Sequence, residues 1–148
     1  MKGKIAIITM LWLAAFGAFA ATGANDTLLA QQKSQWDGVY TEEQAKRGEP
    51  LYSEKCSSCH GPDMNGGEMA PGLAGGEFQA NWNDLSLGDL FERMRISMPQ
   101  NNPGSLSRQQ NADILAAILR KGNYPAGQTE LPTQTEMLNM VKFLASKP

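Results

Sequence analysis

Two cysteines and the chain's one histidine fall within five positions, Cys56-Ser57-Ser58-Cys59-His60, and no other residue of the 148 is a cysteine or histidine. A disulfide between Cys56 and Cys59 would close a loop too short to constrain a domain of this size. Zinc in a structural site takes four protein ligands, and no further cysteine or histidine exists to complete the set. A thioredoxin-like dithiol follows a strand and opens a helix, whereas here a helical pattern ends at the pair. The spacing is that of the attachment signal for c-type haem: two thiols that add to neighbouring vinyl groups on one porphyrin edge, and an adjacent imidazole that reaches the iron from one face. One haem c, held by Cys56 and Cys59 with His60 as a metal ligand, is the cofactor the motif predicts.

The elements that must position this motif are helical. Thr41 and Gln44 make a capping box, so a helix is expected from there to about Lys55, with Pro50 a kink or restart point because proline removes a helical donor. Residues 61–84 hold six glycines and two prolines, which favours turns and loops. Ser86 with Asp89 caps a second helix to about Ile96, its apolar face made by Leu87, Leu90, Phe91 and Met94. Met98-Pro99 and Pro103-Gly104 mark a loop. Ser107 with Gln110 caps a third helix whose stripe is Ile114, Leu115, Ile118 and Leu119, ending at Gly122. Thr133 with Glu136 is expected to cap a last helix that buries Met137, Met140, Val141 and Leu144. No strand alternation occurs. The fold class expected is mainly α, about four helices with long loops, and loops of that length need something other than protein at the centre.

The first twenty residues carry Lys2 and Lys4, an apolar run from Ile5 to Phe19 and an Ala-Phe-Ala close, the pattern of a signal peptide and short for a membrane span. The expected organisation is a signal over 1–20, a flexible or loosely docked N-terminal arm over 21–40 with Trp36 and Tyr40 tucked in, and one domain over 41–148. Loss of the signal would take the formal net charge from −2 to −4. That balance, with basic residues only in scattered pairs, argues against nucleic acid as a partner. The expected product is a periplasmic monomer without stable membrane insertion.

Six methionines lie beyond residue 20, and a methionine thioether is the usual second axial ligand of an electron-carrying haem. Met64 and Met69 stand close to His60 in the chain, on its side of the haem; Met94, Met137 and Met140 read as core. Met98, in an extended loop before Pro99, is the candidate metal ligand.

Four segments, "RGEPLYSEKCSSCHG", "APGLAGGEFQANW", "MPQNNPGSLS" and "ILAAILRKGNYPAG", resemble those of class I cytochromes c over about residues 41–145, in particular monohaem bacterial periplasmic ones that include electron acceptors of quinoprotein dehydrogenases. The resemblance implies a class I cytochrome c fold around one covalent haem. It also implies that the Pro71 carbonyl accepts a hydrogen bond from the His60 imidazole, that Trp82 lies near a haem propionate, and that Gly48 and Tyr52 sit where the first helix crosses an aromatic of the last, Phe143. The function implied is electron carriage between a dehydrogenase or cytochrome complex and an oxidase or another cytochrome, with no substrate transformed and hence no enzyme activity. A tightly bound haem subunit of a periplasmic dehydrogenase complex is the alternative, and an open-site haem enzyme or sensor a lesser one.

Overall fold

The computed structural model describes residues 32–148; the expected signal and residues 21–31 of the expected arm lie outside the described residues. Six helices and one two-stranded sheet make up the described part: β1 (Lys33–Ser34), α1 (Glu42–Lys55), α2 (Ser57–His60), α3 (Gly76–Trp82), α4 (Leu87–Ser97), α5 (Arg108–Lys121), α6 (Thr135–Leu138) and β2 (Val141–Lys142).

Helix α1 begins at Thr41, whose hydroxyl accepts from the Gln44 N–H at 3.1 Å, and the helix runs unbroken through Pro50. The reciprocal half of the expected capping box is missing because the Gln44 amide is used elsewhere: it accepts from Leu131 N–H at 2.7 Å and donates to Leu131 C=O at 3.1 Å. The boxes at Ser86/Asp89 and Ser107/Gln110 are both complete. α1 packs across α5 at Gly48, where a Cβ would stand 1.9 Å from the Asp113 carbonyl oxygen. The crossing partner is therefore α5, not Phe143. Arg47 fastens the crossing by a two-pronged bond to Asp113 at 3.0 and 3.2 Å.

Two expectations are corrected. The glycine-rich stretch contains α3, a helix that starts at Gly76 after the Gly75 cap, where the breakers give way to Glu-Phe-Gln-Ala-Asn-Trp, and that buries Phe78. The last helix is reduced to the single turn α6, and Thr133 does not cap it. The chain then switches to the extended β2, which pairs parallel with β1. Extended backbone alternates its sides, so Val141 and Phe143 are buried with Leu138, while Met137 and Met140 are 53% and 65% exposed.

The part of the expected arm that is described, residues 32–40, is docked along this edge. Gln35 exchanges two hydrogen bonds with the Leu144 backbone, at 2.6 and 2.9 Å, and the Trp36 indole donates to the same carbonyl at 3.0 Å. Tyr40 is fully buried, its hydroxyl donating to the Tyr124 carbonyl at 2.7 Å.

Candidate haem site

A cavity of about 970 Å³ opens between α1–α2, the 61–75 loop, α3, α4 and α5. That is at the upper end for a small-molecule site. Cys56, Cys59, His60, Pro71, Trp82 and Met98, the six residues singled out by sequence, all line it.

The motif sits where α1 ends and the one-turn α2 begins, with the His60 N–H bonded to the Cys56 carbonyl at 3.0 Å. Both cysteines are unbridged. Burial, with Cys59 nearby as the lesser cause, pushes the Cys56 thiol up to about 11. A redox dithiol depends on a thiol shifted the other way, so this environment does not suit one. Among the described residues no three His, Cys, Asp or Glu side chains converge as a metal cluster, which leaves zinc without a ligand set.

His60 is buried, and its Nδ1 lies 2.7 Å from the Pro71 carbonyl oxygen. A carbonyl can only accept, so Nδ1 is the donor, and in the neutral tautomer this leaves the lone pair on Nε2. The loop that delivers Pro71 is tightly built. Gly66 N–H donates to His60 C=O at 2.8 Å, Gly67 to Ala70 at 2.9 Å and Leu73 to Met64 at 2.8 Å. The Tyr52 hydroxyl ties down the Gly61 carbonyl at 2.6 Å. Gly66 has φ +80°, and a Cβ there would come within 2.4 Å of Gly72 N and 2.8 Å of the Pro71 carbonyl carbon. Only glycine lets the two limbs of this loop pass so closely.

Met98 ends α4 in extended backbone (φ −121°, ψ 153°), its N–H on the Met94 carbonyl at 2.9 Å. Met94 and the 75% exposed Met69 also touch the cavity; Met64 is buried and faces a separate hollow, and Met137 and Met140 are exposed rather than core. Trp82 is half-buried, 6.2 Å from the Phe78 ring, and among the described residues its indole N–H meets no protein acceptor.

Phe78, Leu106 and Asn111 escaped the sequence reading. Phe78 and Leu106 supply apolar wall together with Leu90, Ile114 and Ile118, which the helical stripes had marked only as buried faces. Asn111 shares the inner face of α5 with Ile114 and Ile118, a spacing of three and four that was legible. Its Nδ2 donates to the Leu106 and Ser107 carbonyls at 3.3 and 2.9 Å. Its Oδ1 is the one buried side-chain polar atom without a partner among the described residues. An unpaired acceptor beside an apolar cavity of this size is a polar atom left for an occupant or an ordered water. Two thiols and a bare imidazole nitrogen on one side, thioethers on another and apolar walls between are the donor set and lining that a tethered iron porphyrin requires.

Comparison with known proteins agrees. Residues 43–144 match the family model described as cytochrome C oxidase, cbb3-type, subunit III. The chain is 30% identical over 122 residues to cytochrome c-551 of Bacillus subtilis (strain 168), an alignment that takes in 82% of this chain and 95% of the relative. A looser likeness, 22% identity and TM-score 0.48, is to the sulfane dehydrogenase SoxCD of Paracoccus pantotrophus; it covers 73% of this chain and 61% of that one, too distant to carry an assignment. The chain belongs to the class I monohaem c-type cytochromes. Its chemistry is haem-based electron transfer, and its cofactor class is haem c.

Proposed function

We propose that the chain is a periplasmic electron carrier, exchanging single electrons with a dehydrogenase or cytochrome complex on one side and an oxidase or another cytochrome on the other, and that it is not itself an enzyme. The bound haem supplies a one-electron ferrous–ferric couple.

The chain's residues do the rest. Cys56 and Cys59 would tether the porphyrin, and His60, through Nε2, and Met98, through its thioether, would ligate its iron. The Pro71 carbonyl holds the His60 ring and makes it a stronger donor. Apolar side chains from α3, α4 and α5 exclude water, which limits reorganisation between the two oxidation states. An iron held by both His60 and Met98 would have no open position for a substrate.

The observation that best supports this reading is the 2.7 Å contact of His60 Nδ1 with Pro71 O inside a cavity that Met98 also lines. The experiment is spectroscopy of the ferric holoprotein and its variants. Met98→Ala is expected to abolish the far-red charge-transfer band of a Met–iron bond, and Met94→Ala to leave it. The reverse pattern would make Met94 the ligand. Purification as one component, with reversible single-electron reduction and no turnover, fits a free carrier; constant association with a larger enzyme would make it a subunit.

A further inference from the structure

The ring–ring contacts among the described residues join end to end. Trp82 meets Phe78 at 6.2 Å between centroids, Phe78 meets Phe143 at 5.8 Å, Phe143 meets Tyr124 at 5.6 Å, and Tyr124 meets Trp36 at 4.6 Å. Each spacing is that of interacting rings. Trp82 and Phe78 stand on the wall of the large cavity. Phe78, Phe143 and Tyr124 are buried, and at the far end Trp36, just after β1, is partly exposed. Only Phe78 and Trp82, one helical turn apart on α3, are close in the chain; the fold assembles the rest.

Aromatic clusters ordinarily serve as core packing. This one is a single file, with one end in the cofactor cavity and the other at the surface, and its chemistry is graded along its length. Tryptophan and tyrosine give up an electron far more readily than phenylalanine, so Phe78 and Phe143 can only bridge. Tyr124 must shed its proton to hold an electron vacancy, and its hydroxyl is engaged at 3.2 Å by the Gln79 side-chain amide, which is no base. Trp36 needs no proton loss. Its indole N–H donates to the Leu144 carbonyl at 3.0 Å, whose negative end favours a positive ring, and contact with water lowers the cost of a charge there. A vacancy entering at Trp82 therefore settles at Trp36.

We propose that this file is a relay that draws oxidising equivalents out of the cavity to Trp36 and so spares the cofactor. The proposal rests on the haem reading above. The oxidant is hydrogen peroxide, which must first displace Met98 from the iron. It takes two electrons, with two protons from solvent, to end as two waters; the iron supplies one electron and the file the other. Each hop moves one electron from an outer ring toward the cavity. The vacancy left at Trp36 is filled by one electron from a soluble reductant of the thiol or ascorbate class, and the iron's loss is made good by its ordinary donor.

The test is exposure of the ferric holoprotein to hydrogen peroxide without reductant, for wild type, Trp36→Phe and Phe143→Leu, each checked for haem content by its visible spectrum. A spin trap with peptide mass mapping locates the radical, and the fading of the haem absorbance gives the rate of cofactor damage. Wild type is expected to trap at Trp36. Trp36→Phe, which keeps a ring in place, should lose its haem absorbance severalfold faster, with the trapped radical moved back to Trp82. Phe143→Leu removes no oxidisable ring, yet it should cut the Trp36 adduct severalfold, which surface exposure of Trp36 alone would not do. A haem-loaded Trp36→Phe that fades at the wild-type rate, or a Trp36 adduct undiminished in Phe143→Leu, overturns the proposal. Wild-type chain that takes up no haem would instead sink the functional reading itself.

Discussion

Replacing Gly66 by alanine isolates the loop that orients His60. The new Cβ would lie 2.4 Å from Gly72 N and 2.8 Å from the Pro71 carbonyl carbon, both backbone atoms, and φ is +80°. Left-handed backbone with a side chain costs about 1–2 kcal/mol, and the clash must move Pro71 away from His60, losing a hydrogen bond worth about 0.5–1.5 kcal/mol. Together these come to roughly 2–3 kcal/mol, enough to lower the melting temperature by about 8–20 °C in a domain of this size. The same change releases the imidazole from its acceptor, weakening its donation to ferric iron, so the midpoint potential should rise. Gly67→Ala is the internal control: its nearest neighbour would be Cys59 O at 3.7 Å, ordinary contact, and its φ lies outside the left-handed region. Thermal unfolding and potentiometry of both holoproteins read the outcome. Equal stability and equal potential for the two variants would refute the claim that the loop is built to hold Pro71 against His60.

Gln44→Leu strands the Leu131 N–H and C=O, both paired through the Gln44 amide; a loss of about 2–4 kcal/mol is expected from two orphaned backbone groups, checked by denaturant unfolding. Glu92 is held down to about 2, first by its bond from Arg95, then by Thr135. A carboxyl lowered in the folded state contributes stability above its unfolded value and loses it as the pH falls, so stability should decline between about pH 4.5 and 2, and Glu92→Gln should flatten that slope in acid titration of the melting temperature. Gly48→Ala should destabilise despite a helix-propensity gain of about 1 kcal/mol, because the added Cβ meets the Asp113 backbone at 1.9 Å; a melting temperature at or above wild type would contradict the crossing.

What was legible in the chain was local. Ser86/Asp89 and Ser107/Gln110 close within one helical turn, and the α5 stripe repeats within four residues, so both follow from short-range chemistry. The Cys56–His60 grouping likewise carries its chemistry in five positions. Long-range pairing decided what was missed. Thr133 to Met140 has a helical period, yet β1, more than a hundred residues earlier, captures Val141–Lys142 and turns the register from helical to alternating. Gln44 caps its own helix on paper but finds Leu131 instead. Gly48 signalled a close approach, but not that its neighbour would be Asp113. The nearness of Pro71 to His60 could be reached only through family resemblance, since the intervening glycine-rich loop has no period to read.

The most direct measurement is the intact mass and visible spectrum of the exported chain produced alongside haem-attachment machinery, with Cys56→Ser/Cys59→Ser produced in parallel and each mass read against that of its own polypeptide. A red protein heavier than its polypeptide by one haem, the increment surviving denaturation and vanishing in the double variant, is the predicted result. A colourless chain of bare polypeptide mass, folded and stable to the same temperature as the double variant, would contradict the account.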